Sequence, residues 1–358
     1  MSLTDHLAEL LDVPVRAITD LGSSHAWTLH RATLTDGTDV FVKASAEPTT
    51  VFAAEAAGLR WLAAGTVPGA PGERRGMRAG QADHNHRAPR TSQAGHDRPG
   101  KADHGRRSDP ESVGRLPADG ALSIQRGRAD EQQQVAEDRP VRASKLLAEV
   151  LAADDRMIVL PWLNDVGATP ATAEQFGREL AALHANSAEM FGAPWQGWIA
   201  ELPLDNTPSA GPWGQWYAER RLAPYLPRAA PHLGDDGIHL LEQVIDRIDT
   251  LAGPPEPPTP IHGDLWSGNI LWTPDRATLI DPAAHAGYRE TDLAMLTLFG
   301  APHLDRIRAS YNETHPLAEG WRTRIPLHQL HHLLVHVVLF GPSYRSQTLT
   351  AASAALAS

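Results

Sequence analysis

The stretch from Gly69 to Lys145 contains none of the chain's 10 Trp, 5 Tyr or 6 Phe, and this constrains everything around it. It is filled with Arg, Asp, His, Gly, Pro and Gln, so it buries too little apolar surface to offset the entropy of ordering it. Such a stretch is expected to be a disordered insertion, or else erroneous sequence from a wrong frame, a missed splice or a sequencing fault. Its four histidines (His84, His86, His96, His104) follow no fixed repeat and lack carboxylates at ligand spacing, which predicts a solvated loop rather than a metal site. The folded body must then come from the two flanks. The expected organisation is an N-terminal lobe within residues 1–163, interrupted by 69–145, and a C-terminal lobe over 164–358.

The flanks differ in hydrophobic period. Val15–Leu21, Trp27–Leu34 and Asp39–Ala44 read as strands, the last two joined by Thr35-Asp36-Gly37-Thr38, whose Asp-Gly pair signals a hairpin. A helix follows from about Thr50 to Ala64, and Met157–Leu160 is a short apolar strand ended by Pro161. From Thr169, a candidate N-cap with Pro170 behind it, the pattern turns helical, with Phe176, Leu180 and Leu183 on one face. Further helices are predicted over Trp213–Leu226, Ile238–Leu251, Glu290–Phe299 and Pro326–Leu339. Ile270–Trp272 and Thr278–Ile280 pair around Thr273-Pro274-Asp275-Arg276. The fold class is α+β: a small antiparallel-sheet lobe followed by a mainly helical one.

Charge narrows the partners. The chain is formally −11, but 69–145 carries 15 Lys and Arg against 11 Asp and Glu, leaving 17 against 32 elsewhere. A body that acidic argues against nucleic-acid binding, which draws affinity from phosphate neutralisation. The absence of cysteine removes disulfides, thiolate metal sites and cysteine nucleophiles, and suits a reducing compartment. Met1–Leu11 reads as an amphipathic helix with Asp5 and Glu9 rather than a signal peptide, and no apolar run reaches bilayer length. A cytoplasmic, monomeric protein without membrane partners is expected.

The chemistry-bearing run is His262-Gly263-Asp264-Leu265-Trp266-Ser267-Gly268-Asn269, followed by Asp281. Protein kinases write their catalytic loop His-Arg-Asp-Leu with an Asn five residues after the Asp, then a second metal-binding Asp on the next strand. Here His262, Asp264, Leu265 and Asn269 match, with Gly263 in place of Arg. One short hairpin would return Asp281 beside Asn269. These residues point to a two-lobed, protein-kinase-like fold that transfers a phosphoryl group from ATP with Mg2+. Asp264 would accept the proton of the attacking hydroxyl, while Asn269 and Asp281 offer the oxygen donors that magnesium prefers. Turn and cap roles are the bland alternative for Asp and Asn.

Only three lysines occur, and Lys101 and Lys145 lie within 69–145, which leaves Lys43 at the end of Val40-Phe41-Val42. That is where a kinase sets its phosphate-contacting lysine. Glu55 shares a helix face with Leu59 and Leu62, and a carboxylate on an apolar face needs a partner, for which Lys43 is the candidate. The alternative is a Glu55 that borders the core and points to water. Gly22, Ser23 and Ser24 lie between the first two strands, where a phosphate-covering loop would sit, although a plain hairpin turn fits them equally. His332 and His336, one helical turn apart in an apolar run, read as a structural pair rather than a metal site. Trp195, Trp198, Trp213 and Trp216 suit core packing or a carbohydrate-stacking wall, packing being expected for most.

These residues resemble the fructosamine kinases, or ketosamine-3-kinases, relatives of the aminoglycoside and choline kinases. The resemblance rests on His262–Asn269 with its Trp266, on Asp281-Pro282-Ala283-Ala284, on Arg289–Met295 and on Leu298-Phe299-Gly300. Phe41-Val42-Lys43, Leu183-His184, Asp205-Asn206, Arg220-Arg221-Leu222, Leu334-Val335-His336 and Leu339-Phe340-Gly341 support it. It covers nearly the whole chain outside 69–145, with the family's pattern resuming near Glu149-Val150. It implies phosphorylation of the 3-hydroxyl of a small-molecule or protein-bound ketosamine and a role in deglycation. It also implies Trp266 as a platform for the sugar, Met157–Leu163 as the adenine hinge and Asp292 as a structural support of the catalytic loop. The rival readings are an aminoglycoside- or choline-type phosphotransferase, or a non-catalytic nucleotide-binding protein if the insertion breaks the small lobe. No Ala-Pro-Glu follows Asp281, against a protein kinase.

Overall fold

The computed structural model describes residues 1–24, 26–65 and 146–358. The stretch 69–145, with its four histidines and two of the three lysines, lies outside the described residues. Helix α1 (Leu3–Leu11) starts at Ser2, whose hydroxyl accepts the Asp5 N–H, and stops at Asp12 in the left-handed region. It packs Leu7 on the outer face of a five-stranded antiparallel sheet, ordered β1-β2-β3-β5-β4. The strands are β1 (Val15–Ser24), β2 (Trp27–Leu34), β3 (Asp39–Ala44), β4 (Ala152–Ala153) and β5 (Met157–Pro161). Alternation along β3 decides the faces: Val40, Val42 and Ala44 join the α1 core, which leaves Phe41 and Lys43 on the opposite face.

Strand β1 runs past the predicted Leu21. Gly22, Ser23 and Ser24 pair with Leu29, Thr28 and Trp27, after a register shift between Asp20 and Gly22 where Gly22 takes φ 100°. These three residues therefore lie in a bulged strand end and not in a loop between strands. Strand β3 pairs with β5 from Val40↔Pro161 to Ala44↔Met157, so the sheet closes across the undescribed stretch and is not broken by it. The chain is back in the fold at Leu146, before the Glu149 that the resemblance suggests. Leu146, Leu147 and Ala148 are buried, and the Ala148 N–H donates to Leu279 O at 2.9 Å while the Leu279 N–H donates to Leu146 O at 2.7 Å.

Helix α2 (Val51–Gly65) lies on the Lys43 face. Its Phe52, Leu59 and Leu62 belong to one core with Ile158 and Leu160 of the sheet and with Phe176, Leu180 and Leu293 of the helical lobe. Gly58 permits this approach: a Cβ there would stand 2.9 Å from the Ala284 Cβ. The two lobes thus share a core, which fixes α2 against the segment that follows Asp281.

Helix α3 (Pro170–His184) begins with Thr169 and Thr172 capping one another and buries Phe176, Leu180 and Leu183. The hairpin β6 (Gly197–Ile199) and β7 (Leu202–Leu204) follows. The predicted helix over Trp213–Leu226 is instead α4 (Trp213–Tyr217), a π-helical turn (Ala218–Leu222) and a 3-10 turn (Ala223–Tyr225). Buried Arg221 sits in the π-helical turn and donates to Asp205 O at 2.5 Å and to Asn206 Oδ1 at 2.7 Å. Helix α5 (Leu226–Asp246) starts earlier than predicted because its first half is hidden by Pro227, Pro231 and a kink at Gly234. Helix α6 (Ile248–Leu251) is short. Strands β8 (Thr259–Ile261), β9 (Ile270–Trp272), β10 (Ala277–Leu279) and β11 (His285–Gly287) form two small pairs, β8 with β11 and β9 with β10. Helices α7 (Glu290–Leu298), α8 (Leu304–Thr314), α9 (Trp321–Phe340) and α10 (Arg345–Leu356) complete the lobe. Among the described residues no helix is long and apolar enough to cross a membrane.

Candidate active site

The run from Ile261 to Asn269 leaves β8 and returns into β9, so the catalytic-loop residues form one tight turn beside the β10 end that carries Asp281. Gly263 explains its own departure from the kinase pattern. It holds φ 79°, and a Cβ there would lie 2.3 Å from Ala283 O, so no arginine fits. Asp292, in the first turn of α7 and fully buried, accepts the backbone N–H of His262 at 2.8 Å and of Gly263 at 2.9 Å, while His184 Nε2 stands 3.2 Å away. Burial works against its ionisation, but these donors hold its carboxyl below the ordinary value.

His262 Nε2 lies 2.9 Å from Ile280 O and so donates to it, leaving Nδ1 to accept the Asp264 N–H at 3.3 Å. From the other side His332 Nε2 donates to Gly263 O at 2.8 Å. Burial pushes the His332 pKa down to about 4, so near neutral pH it serves the loop as an uncharged donor. The sequence offered the His332–His336 spacing without this target. Among the described residues no three His, Cys, Asp or Glu side chains gather at metal-ligand spacing.

The residues singled out for phosphoryl transfer meet in one cleft. Lys43 Nζ donates to Glu55 Oε2 at 3.0 Å and to Asp281 Oδ1 at 2.7 Å, with Lys43 and Glu55 only 6% and 5% exposed. Asn269 Nδ2 donates to Asp264 O at 2.9 Å and to Asp264 Oδ2 at 3.2 Å, and approaches Asp281 O at 3.4 Å. Asp281 itself holds φ 54°, a left-handed conformation costing about 1–3 kcal/mol for a residue other than glycine. The Ile280 hydrogen bonds to Asn269 O and His262 on either side maintain it.

Electrostatics follow from the inventory of one ammonium among Glu55, Asp264 and Asp281. Burial pushes the Asp264 carboxyl up to about 7, with the Asp281 charge adding to it, and burial likewise pushes Glu55 up to about 7 against the pull of Lys43. Burial disfavours the Lys43 ammonium, yet Asp281 and Glu55 outweigh it and hold its pKa above the usual lysine range. The excess of negative charge is what a divalent cation would balance. The donor set fits magnesium: the Asp281 carboxylate, and the Asn269 Oδ1 left over once Nδ2 is committed to the loop. Magnesium commonly takes one or two protein oxygens and completes its shell from phosphates and water.

Of the remaining predicted residues, Trp266 lines the same cleft and is 40% exposed. Its indole lies over Gly268, where a Cβ would clash at 2.1 Å. Ser24 also lines the cleft, whereas Gly22 and Ser23 do not reach it. Trp195 and Trp198 also line the cleft, while Trp213 and Trp216 are buried in the helical core. An apolar hollow adjoins the cleft through Phe41, Leu160 and Ile280 and extends along Pro161, Trp162 and Leu163, where the hinge was expected.

Comparison with known proteins agrees with this geometry. The sequence model described as "Fructosamine kinase" matches residues 115–358. A Thermobifida fusca protein designated "putative fructosamine-3-kinase" has a crystal structure that superposes with a TM-score of 0.75 at 41% identity, covering 100% of this chain and 99% of that one. The Synechocystis protein designated "Probable ketoamine kinase slr1563" is 31% identical over 222 residues, 60% of this chain and 72% of its own length. Aminoglycoside phosphotransferase APH(4)-Ia, in a ternary complex with AMP-PNP and hygromycin B, shares the fold at a TM-score of 0.55 and 13% identity, over 100% of this chain and 98% of that one. The match over more than half of the chain and the cleft built by its kinase-type residues agree: the protein belongs to the fructosamine kinase family.

Proposed function

We propose that this enzyme transfers the γ-phosphoryl group of ATP to the 3-hydroxyl of ketosamines, free or protein-borne, and so serves the removal of sugar adducts from amines. The observation that carries the reading is Lys43 held between Glu55 and Asp281 within a few residues' reach of Asp264, in a cleft walled by tryptophan. Lys43 contacts the nucleotide phosphates, Glu55 fixes its ammonium, and Ser24 approaches from the bulged strand end. Met157–Leu163 meets the adenine in the apolar hollow. Asn269 and Asp281 hold Mg2+, which when bound offsets the charge of the phosphates. Asp264 orients the acceptor hydroxyl and takes its proton, and the indole faces of Trp266 and of Trp195 and Trp198 pack the sugar.

Purified protein incubated with ATP, magnesium and a panel of ribulosamines, erythrulosamines and fructosamines is expected to phosphorylate at least one sugar class, read by mass spectrometry. Phosphorylation of aminoglycosides or choline in preference to every ketosamine would overturn the substrate assignment while leaving the phosphotransferase.

The raised Asp264 pKa sets the pH dependence. The carboxyl must be ionised to accept a proton, and its ionised fraction grows as pH rises through about 7. Measured with nucleotide and acceptor both subsaturating and free magnesium fixed, the rate constant reports the free enzyme. It should climb with a midpoint near 7. A profile flat from about pH 5.5 to 8 would remove Asp264 as a proton acceptor of perturbed pKa.

A further inference from the structure

Beyond Trp266 an aromatic surface continues out of the cleft. The indole meets Phe299 edge-on at 6.3 Å, Phe299 stands 5.1 Å from His336, and His336 stands 5.5 Å from Phe340 and 4.7 Å from Tyr344. Four segments supply these rings. Trp266 comes from the catalytic loop, Phe299 from the C-terminal cap of α7, and His336 and Phe340 from one face of α9, with Tyr344 in the turn after it. Phe299 is 39% and Phe340 48% exposed, and neither lines the cleft in which Lys43, Asp264 and Asp281 meet. Phosphoryl transfer has no need of them. Scattered exposed apolar side chains are ordinary, but a contiguous run that starts on a cleft wall marks a binding surface.

We infer that this track is a subsite for the amine-derived substituent of the acceptor, and that it favours apolar and above all aromatic substituents. The inference rests on the ketosamine reading, because the connectivity of a ketosamine supplies the geometry. Its nitrogen lies three bonds from the carbon bearing the 3-hydroxyl. With that hydroxyl at Asp264, the nitrogen and its substituent must leave past a neighbouring part of the cleft. Trp266 is two residues from Asp264, its backbone N–H donates to Asp264 O at 3.1 Å, and its exposed side chain lines the cleft beside Asp264, at that exit. The nitrogen is a secondary amine, protonated near neutral pH, and an indole face attracts such a cation. Past it, Phe299 and then Phe340 offer further ring faces and edges, which reward an aromatic substituent beyond simple burial.

The test holds the sugar constant and varies the amine. Ribulose adducts of methylamine, benzylamine and 4-phenylbutylamine are compared by kcat/KM in the parent protein, in Phe299→Ala and in Phe340→Ala. The parent is expected to prefer the benzyl over the methyl adduct by about tenfold. Phe299→Ala should reduce that preference to about twofold, and Phe340→Ala should reduce mainly the preference for the longer phenylbutyl adduct. Each value is a ratio within one protein, so a lower folded fraction cancels. A parent that turns over all three adducts equally, or a preference that persists in both variants, overturns the subsite while the ketosamine reading stands. Where these are not phosphorylated the same comparison is made with the erythrulosamines or fructosamines of the three amines, and a parent that phosphorylates none of them overturns both. Preferences that persist while either variant changes the sedimentation of the protein would assign the aromatic face to contacts between copies, and that also overturns the proposal.

Discussion

Asp264→Asn is expected to lower kcat about a thousandfold while leaving MgATP binding in place, because a positioned proton acceptor contributes roughly 10²–10⁴-fold and the phosphate-contacting residues lie elsewhere. The substitution preserves shape. An Asn oxygen can still accept the Asn269 Nδ2–H that Asp264 accepts at 3.2 Å, so the loop keeps its turn. It removes only the charge and the basicity. Stability moves in the opposite direction. The folded-state pKa of Asp264 is raised, so the native protein loses stability relative to the unfolded chain as pH rises from the ordinary carboxylate range through about 7, and remains at the lower level above it. A neutral Asn escapes that loss. The variant should therefore melt higher than the parent at pH 8, with the gain shrinking toward pH 5. Thermal melts with and without MgATP at both pH values, together with single-turnover kinetics, check each part. Undiminished turnover would refute the role of Asp264, and an Asn variant that no longer responds to MgATP would show that the charge also serves nucleotide binding.

The pattern behind that expectation was legible in the chain because phosphoryl transfer demands few residue types at tight spacing. Asp264, Asn269 and Asp281 could be placed together before any fold was known, since one hairpin of fixed length separates them. Lys43 and Glu55 were legible for a different reason. A single lysine outside 69–145 and a carboxylate on an apolar helix face each require a partner, and the structure pairs them at 3.0 Å. Strands β2 and β3 followed from alternation and an Asp-Gly turn. What escaped was set by tertiary context. The phosphate-covering loop at Gly22–Ser24 became strand because the ladder with β2 continues past a bulge that local sequence does not announce. The helix over Trp213–Leu226 changed its winding around a buried arginine whose partners, Asp205 and Asn206, are distant in sequence. Helix α10 carries almost no periodic signal and is held by packing. Trp195 and Trp198 differ from Trp213 and Trp216 only in which side of the β6–β7 hairpin and α4 faces the cleft, and a tryptophan count cannot distinguish them.

The support beneath the catalytic loop was legible only through the family resemblance, which implied Asp292 without its partners, and it carries the second large effect. Asp292→Ala is expected to destabilise the protein by about 3–5 kcal/mol, equivalent to roughly 10 °C in melting temperature, and to abolish turnover in whatever fraction folds. The carboxylate is fully buried and engages three groups at once: the N–H of His262, the N–H of Gly263 and the His184 ring. Removing it strands two backbone donors in the interior, each costing about 1–3 kcal/mol, and leaves His184 with Tyr311 alone. Gly263 cannot relax toward a commoner conformation, because its left-handed φ and its contact with Ala283 O are what aim Asp264 into the cleft. Asp292→Asn separates packing from charge. An amide presents one acceptor and one donor where the loop needs two acceptors, so it should recover part of the stability and little of the rate. Lys43 and Glu55 are built on the sheet and α2, so MgATP should still raise the melting temperature of both variants. An alanine variant that melts with the parent would show that water or a neighbouring carbonyl replaces the carboxylate. Full turnover in the same variant would show that Asp264 is aimed by Gly263 and His332 without it.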